Sequence, residues 1–181
     1  MSRVHITGAS GAGTSTLGAA LAARLRHPHV EADAIYWLPT DPPFTTPRSR
    51  EDRAALAGSL LPLQGAWVFS GSAYGWSAFL EPAFDLVIFL TLDPVLRMAR
   101  LRRREVERYG DRIAAGGDMA AASAQFLDWA AAYDIAGVEQ RSKASHEKWL
   151  ETQIAPVLRL DASATVDELA EIALAELDRG R

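Results

Sequence analysis

The sequence predicts an α/β fold, with a parallel sheet of five strands flanked by helices in three layers. Three observations carry that expectation. Short apolar runs alternate with longer stretches of helical period, the order of a βαβ chain. Five such runs can be counted, at Val4–Thr7, His29–Ala32, Trp67–Ser70, Phe84–Leu90 and Val157–Leu160. The first run leads directly into a glycine-rich segment, Gly8-Ala9-Ser10-Gly11-Ala12-Gly13-Thr14-Ser15, and that segment opens a helix.

The elements follow from local chemistry. After the glycines, Leu17, Leu21 and Leu25 fall on one helical face, which predicts a helix over Thr16–Arg26 that ends at His27-Pro28. After the second strand, a loop from Tyr36 to Pro47 is rich in proline and aromatics. Ser49 with Asp52 three residues on reads as a helix N-cap, and that helix runs to Leu61. The third strand is followed by the Ser70-Gly71-Ser72 turn. After the fourth strand, Asp93-Pro94 supplies a cap and a proline at the first helical position. Helices are expected over Met119–Tyr133 and Arg141–Thr152, and Thr165 with Glu168 forms a capping box for the last one.

The glycine-rich segment fits G-x-x-x-x-G-K-[ST] at every position except the lysine, where Thr14 stands. Such a loop turns backbone N–H groups inward around phosphate oxygens, and the following helix N-terminus adds positive potential. Gly8, Ser10, Gly11, Ala12, Gly13, Thr14, Ser15 and Thr16 are therefore the expected nucleotide-binding residues, with the Ser15 hydroxyl placed for Mg²⁺. The missing lysine removes the cation that follows the β- and γ-phosphates, so phosphate binding reads more clearly than phosphate transfer.

Composition narrows the classes. The 181 residues predict a single domain, 1–181, and no apolar run reaches the length of a membrane span, about 18 residues. The first strand starts so near Met1 that no secretory leader is expected. There is no cysteine, which excludes disulfides and thiolate metal sites and suits a cytoplasmic protein. The net charge of −4 gives no general drive toward nucleic acid. Only Lys143 and Lys148 are lysines, and seven arginines lie between Arg97 and Arg112. Arg97, Arg100 and Arg104 are three and four apart and share one helix face, a basic surface that calls for an anionic partner or is solvated beside Glu105 and Glu107. Glu31 and Asp33 follow strand two, at the sheet end where ligands gather. Tyr36, Trp37, Phe44, Tyr74 and Trp76 either stack on an acceptor or pack the loops onto the sheet. Phe126, Leu127, Trp129 and Trp149 read as core, His5 as a packed strand residue, and Lys143 and His146 as helix surface.

On the glycine loop, the acidic pair after strand two, the arginine-rich helix after Asp93-Pro94 and the closing strand–helix pair, the chain resembles the P-loop kinases of small molecules, the adenylate-kinase and shikimate-kinase group. The resemblance implies a lid, here residues 105–140, with hinge glycines at Gly110, Gly116 and Gly117. It implies ATP or another nucleoside triphosphate with Mg²⁺, and a small-molecule acceptor that is a nucleotide or a hydroxyl metabolite, handled by a monomer or homodimer. By the same resemblance Asp33 binds the acceptor hydroxyl, Arg100 stacks on the base and Arg104 meets phosphate. Arg141 is the lid arginine expected to replace the lysine once the lid closes. Glu31 reaches Mg²⁺ through water, and Ser70-Gly71-Ser72 faces the acceptor. The loss of the lysine leaves a second reading open, a nucleotide-binding regulatory protein without transfer activity.

Overall fold

The computed structural model describes residues 2–73 and 75–180. The strands are β1 (Arg3–Gly8), β2 (His29–Glu31), β3 (Trp67–Ser70), β4 (Leu86–Thr91) and β5 (Val157–Asp161). The helices are α1 (Thr14–Leu25), α2 (Ala32–Tyr36), α3 (Arg50–Leu60), α4 (Pro94–Tyr109), α5 (Ala120–Ala131), α6 (Lys143–Leu150) and α7 (Val166–Arg179). The five strands form one sheet in the order β2-β3-β1-β4-β5, and every pairing is parallel. β1 is central, so the segment leaving it emerges between β3 and β4 at the carboxyl edge of the sheet, where open α/β sheets hold ligands.

Alternation along the strands divides the core into two layers. Val4 and Ile6 of β1 and Leu86, Ile88 and Leu90 of β4 pack against Leu17 and Leu21 of α1 and Ala170 and Ala173 of α7. Val87 and Phe89 of β4 and Trp67 and Phe69 of β3 face the other way, against Ile35, Leu61 and Leu80. The three inner strands, β1, β3 and β4, are buried on both faces and read as near-continuous apolar runs, while the edge strands β2 and β5 are partly exposed.

The caps fixed most helix starts as expected. Ser49 accepts from the Asp52 amide, Asp93 from Val95 and Leu96, and Thr165 and Glu168 form a reciprocal pair. Two starts differ. α1 begins at Thr14, two residues early, because Gly13 already adopts the N-cap position. α6 begins at Lys143, because Ser142 and Ser145 cap each other's backbone, so Arg141 lies ahead of the helix rather than in it. α2 was expected as loop. Its Ala32 and Ile35 are one helical turn apart and enter the core, which leaves Asp33 exposed between them.

Two buried polar side chains lie at the joints. Arg97 of α4 is 1% exposed, its Nη2 donates to Asp134 at 2.8 Å, and its Nη1 donates to the Ser10 carbonyl at 3.3 Å. Its guanidinium also lies 5.4 Å from the centre of the Tyr133 ring. Arg97 was expected on a shared basic face, and the structure commits it to holding α4, the turn after α5 and the glycine loop together. His5 is stacked between Phe69 and Phe84 at 4.9 and 5.0 Å. It is a packed strand residue, as expected, and burial depresses its pKa to about 4. His146, expected on a helix surface, is buried: its Nδ1 is 2.7 Å from the Tyr133 hydroxyl, and burial with the nearby Arg141 charge depresses it to about 3.

Two outcomes follow. Between pH 6.5, its ordinary value, and about 4, His5 takes a proton in the unfolded chain and refuses it in the fold, so stability falls as the pH drops through that window. His5→Phe keeps the ring stack and removes that cost, roughly 3 kcal/mol. Denaturant melts at pH 7 and pH 4.5 will show a smaller acid loss in the variant, with the remaining slope carried by His146 and the carboxylates. Asp134→Ala strands the buried Arg97 guanidinium and lowers stability by about 2–3 kcal/mol, less than for a wholly enclosed pair because Asp134 is partly solvated. A melt within 0.5 kcal/mol or so of wild type would show that water satisfies Arg97 instead.

Candidate functional site

The loop between β1 and α1 is shaped by three glycines with different reasons. A side chain at Gly8 would place its Cβ 2.5 Å from the Leu90 carbonyl, so the loop can leave β1 this close to β4 only without one. Gly11 has φ +85°, and a Cβ there would meet Leu101 at 2.8 Å and the Arg97 carbonyl at 3.0 Å. Gly13 has φ +95° at the N-cap of α1, and the space beside it is open. A glycine cap has no side chain to satisfy the first-turn N–H groups, and no acidic residue occupies that turn. The positive end of α1 therefore faces the cavity with no side-chain cap and no acidic residue in its own first turn.

That cavity has two lobes, of ≈ 1130 and ≈ 620 Å³, which meet at Gly11, Thr14 and Ser15. On one side of the larger lobe, Arg100 and Leu101 of α4 face Ala162, Ala164 and Leu169. The smaller lobe runs between Ser72, Met119, Phe126, Trp129 and Arg141. Glu31, Asp33, Trp37, Phe44, Arg104 and Arg108 border both.

The structure brings together Asp33, Arg104 and Arg141, which are far apart in sequence. The Asp33 carboxylate makes no hydrogen bond among the described residues, and its charge acts on both arginines. Arg104 is half-buried, its guanidinium 5.8 Å from the Phe126 ring centre. Burial pulls its pKa down and the Arg108 charge adds to that, against Glu105 and Asp33. Arg141 lies on the loop itself. Its Nη2 donates to the Gly8 carbonyl at 2.8 Å, and its guanidinium is 5.5 Å from the Trp129 ring centre. Burial lowers its pKa, with Tyr133 and Asp33 opposing and Arg97 adding. The Nε atoms of Arg104, Arg141 and Arg48 are buried with no hydrogen-bond partner among the described residues. Such atoms are costly unless something else meets them, and an anion would. Ser15 donates to Glu31 at 3.0 Å, so one hydroxyl and one carboxylate stand together at the loop's end. Among the described residues no group of three or more His, Asp or Glu could hold a metal alone.

Several sequence-predicted residues do other work. The expected shared face splits: Arg97 and Arg104 turn inward, while Arg100 is exposed on the rim, near the exposed Arg103–Glu107 pair at 3.2 Å. In the lid segment Arg112 is held by Asp41 at 2.6 Å and Asp118 at 2.7 Å, and Arg108 lies 4.3 Å from the Phe44 ring centre. With the Tyr109 hydroxyl donating to the Pro43 carbonyl at 3.2 Å, these contacts tie the 37–48 loop to the end of α4. Tyr36 lies beneath Arg53 at 4.6 Å and Trp76 packs edge-on against Phe69 at 6.2 Å, so neither faces the cavity, while Trp37 and Phe44 do. Tyr74 lies outside the described residues. Ser70, Gly71 and Ser72 all border the smaller lobe, with the buried Ser70 hydroxyl 2.8 Å from the His29 ring. Trp149 packs on the core and donates to Glu81 at 2.9 Å. Phe126 and Trp129, expected only as core, also wall the smaller lobe. Arg48 was not anticipated, and Glu105, expected beside a solvated face, is instead buried and accepts from Ser123 at 2.8 Å. Glu105 is four residues from the inward Leu101, a spacing that could have placed it there.

No family model matches the chain. It is 45% identical over 165 residues to the uncharacterized protein YqaC of Bacillus subtilis (strain 168), covering 91% of each. Among solved structures, it superposes on shikimate kinase from Bacteroides thetaiotaomicron with a TM-score of 0.59 at 17% identity, covering 98% of each chain. A gluconokinase from Sinorhizobium meliloti 1021 gives 0.56 at 18% identity, over 98% of this chain and 92% of that one. Deoxyadenosine kinase from M. mycoides with bound dATP gives 0.55 at 15% identity, over 97% and 99%. At these identities the likeness concerns the fold, a five-stranded parallel sheet between helices. The chain belongs to the family of Bacillus subtilis YqaC and carries the α/β fold of the small-molecule P-loop kinases.

Proposed function

We propose that the protein binds a nucleoside triphosphate, ATP foremost, with Mg²⁺ at Gly8–Thr16 and transfers its terminal phosphoryl group to a small acceptor in the smaller lobe. The observation that carries this reading is the juxtaposition of the uncapped α1 N-terminus with Asp33, Arg104 and Arg141 around one cavity. The kinase fold of the structural neighbours supports it.

The acceptor oxygen attacks the γ-phosphorus, the bond from that phosphorus to the bridging oxygen breaks, and the nucleoside diphosphate leaves. Asp33 orients an acceptor hydroxyl and takes its proton. Arg104 meets the charge spread over the transferred group, and Arg100 lies against the base on the rim of the larger lobe. Ser15 and Glu31 suit a divalent ion that draws its other ligands from phosphate and water. Such an ion, when bound there, would supply positive charge against the phosphates. Residues 105–140 serve as the lid. Among the described residues no helix is long and apolar enough to cross a membrane, and a cytoplasmic place is part of the proposal. Thr14 in the lysine position favours a second reading, a regulator that binds nucleotide without transferring phosphate.

Calorimetry with non-hydrolysable ATP and GTP analogues and Mg²⁺ will show binding to wild type. Gly13→Asp will abolish it, because the carboxylate would enter the space the phosphates need, and the positive φ will cost about 1–2 kcal/mol of stability. A wild-type protein that binds neither analogue would sink the proposal. Asp33→Asn will retain nucleotide affinity and lose turnover by about 10²–10⁴ with an acceptor found by screening. Unchanged turnover in that variant would move the proton transfer elsewhere and favour an acceptor whose attacking group is already ionised, such as a phosphate.

A further inference from the structure

Arg141 stands apart from the other arginines of the cavity because it is fastened to the loop's own backbone. One N–H of its guanidinium is used on the Gly8 carbonyl, at the point where β1 ends and the loop begins. Trp129 flanks the guanidinium at 5.5 Å, and its Nε is buried with no hydrogen-bond partner among the described residues. A guanidinium has five N–H donors in a fixed plane, so one bond to a carbonyl leaves others to present. Gly11, Thr14, Ser15 and Arg141 border the same lobe. Asp33 supplies a counter-charge nearby, which keeps the site tolerable for a cation when it is empty.

The alternatives are weaker. Arg97 spends both terminal nitrogens on Ser10 and Asp134. Arg104 faces the cavity but makes no hydrogen bond to the loop, and its neighbour is the Phe126 ring on the acceptor side. Arg108 and Arg112 are committed to Phe44 and to carboxylates. Arg24 and Arg26 lie at the far end of α1.

Building on the reading of this cavity as a nucleotide site, we infer that Arg141 is a permanent part of the phosphate-binding loop. It supplies from outside the loop the positive charge that Thr14 cannot, and it meets the terminal phosphates without waiting for a lid to close. The cation is then pre-positioned where a loop lysine would be a mobile point charge. Position 14 is left small and neutral because a second cation there would face Arg141 across the same phosphate.

The test is calorimetry of the full chain with Mg²⁺ and either the β,γ-imido analogue of ATP or AMP, on wild type, Arg141→Ala, Arg141→Lys, Thr14→Lys and the Thr14→Lys/Arg141→Ala double variant, each with a thermal melt. Arg141→Ala is expected to weaken the triphosphate analogue by about 10–100-fold while changing AMP by less than about threefold. Arg141→Lys is expected to recover part of the loss. Thr14→Lys alone is expected to gain little, and in the Arg141→Ala background to restore most of the lost affinity, since either cation then fills one role. Three results would overturn the inference alone: Arg141→Ala binding the analogue as wild type does, losing analogue and AMP equally with a matching drop in melting temperature, or gaining nothing from the added Thr14→Lys change. A wild type that binds neither nucleotide would overturn the nucleotide reading together with this inference.

Discussion

The first turn of α1 has backbone N–H groups that nothing in the loop satisfies, and much of the structure is arranged around that fact. The N-cap is Gly13, which has no side chain to offer, and no acid lies in the first turn. When the N–H groups of a loop converge on a cavity, its carbonyls turn outward and need donors of their own. Two of them find arginines: Ser10 is met by Arg97 and Gly8 by Arg141. The loop therefore takes its outer support from α4 and from the segment before α6. This explains why a basic helix follows β4 in a protein whose net charge is negative.

Arginine is the residue suited to that task. It stays charged when buried, and its planar fork can bind a carbonyl with one edge and an anion or ring with another. On its inward face α4 sets Arg97 against a loop carbonyl and a carboxylate and Arg104 beside the Phe126 ring, and it leaves Arg103 to an exposed pair of small value. The unpartnered Nε atoms of Arg48, Arg104 and Arg141 are the reverse side of the arrangement. Each buried donor left without an acceptor costs about 1–3 kcal/mol, and three of these belong to arginines that border the cavity.

The five strands and most helix starts were legible because their causes are local: apolar runs, and the caps Ser49, Asp93 and Thr165. The glycine loop was legible for the same reason. α2 was not, since its five residues are too few to display a helical period; only the burial of Ala32 and Ile35 reveals it. Spacing put Arg97 on the right helix but could not tell that Asp134, 37 positions on, would claim it. His146 was misjudged, because its burial depends on how α6 docks, and Trp129 packs on the core as expected but also walls a cavity, a role that depends on how α5 docks. Asp33, Arg104 and Arg141 were named from separate segments, and their convergence is a property of the fold alone.

A fixed cation and a mobile one impose different demands on the rest of a site. A lysine on a flexible stem can follow a phosphoryl group as it moves, whereas Arg141 is tied to Gly8 and flanked by Trp129. In the proposed transfer, movement would then be met from the smaller lobe, which Arg104 and Asp33 border. Trp129 connects the two halves, since one ring both flanks Arg141 and walls that lobe. Under the proposed function, an acceptor in that lobe would touch the ring that flanks the cation.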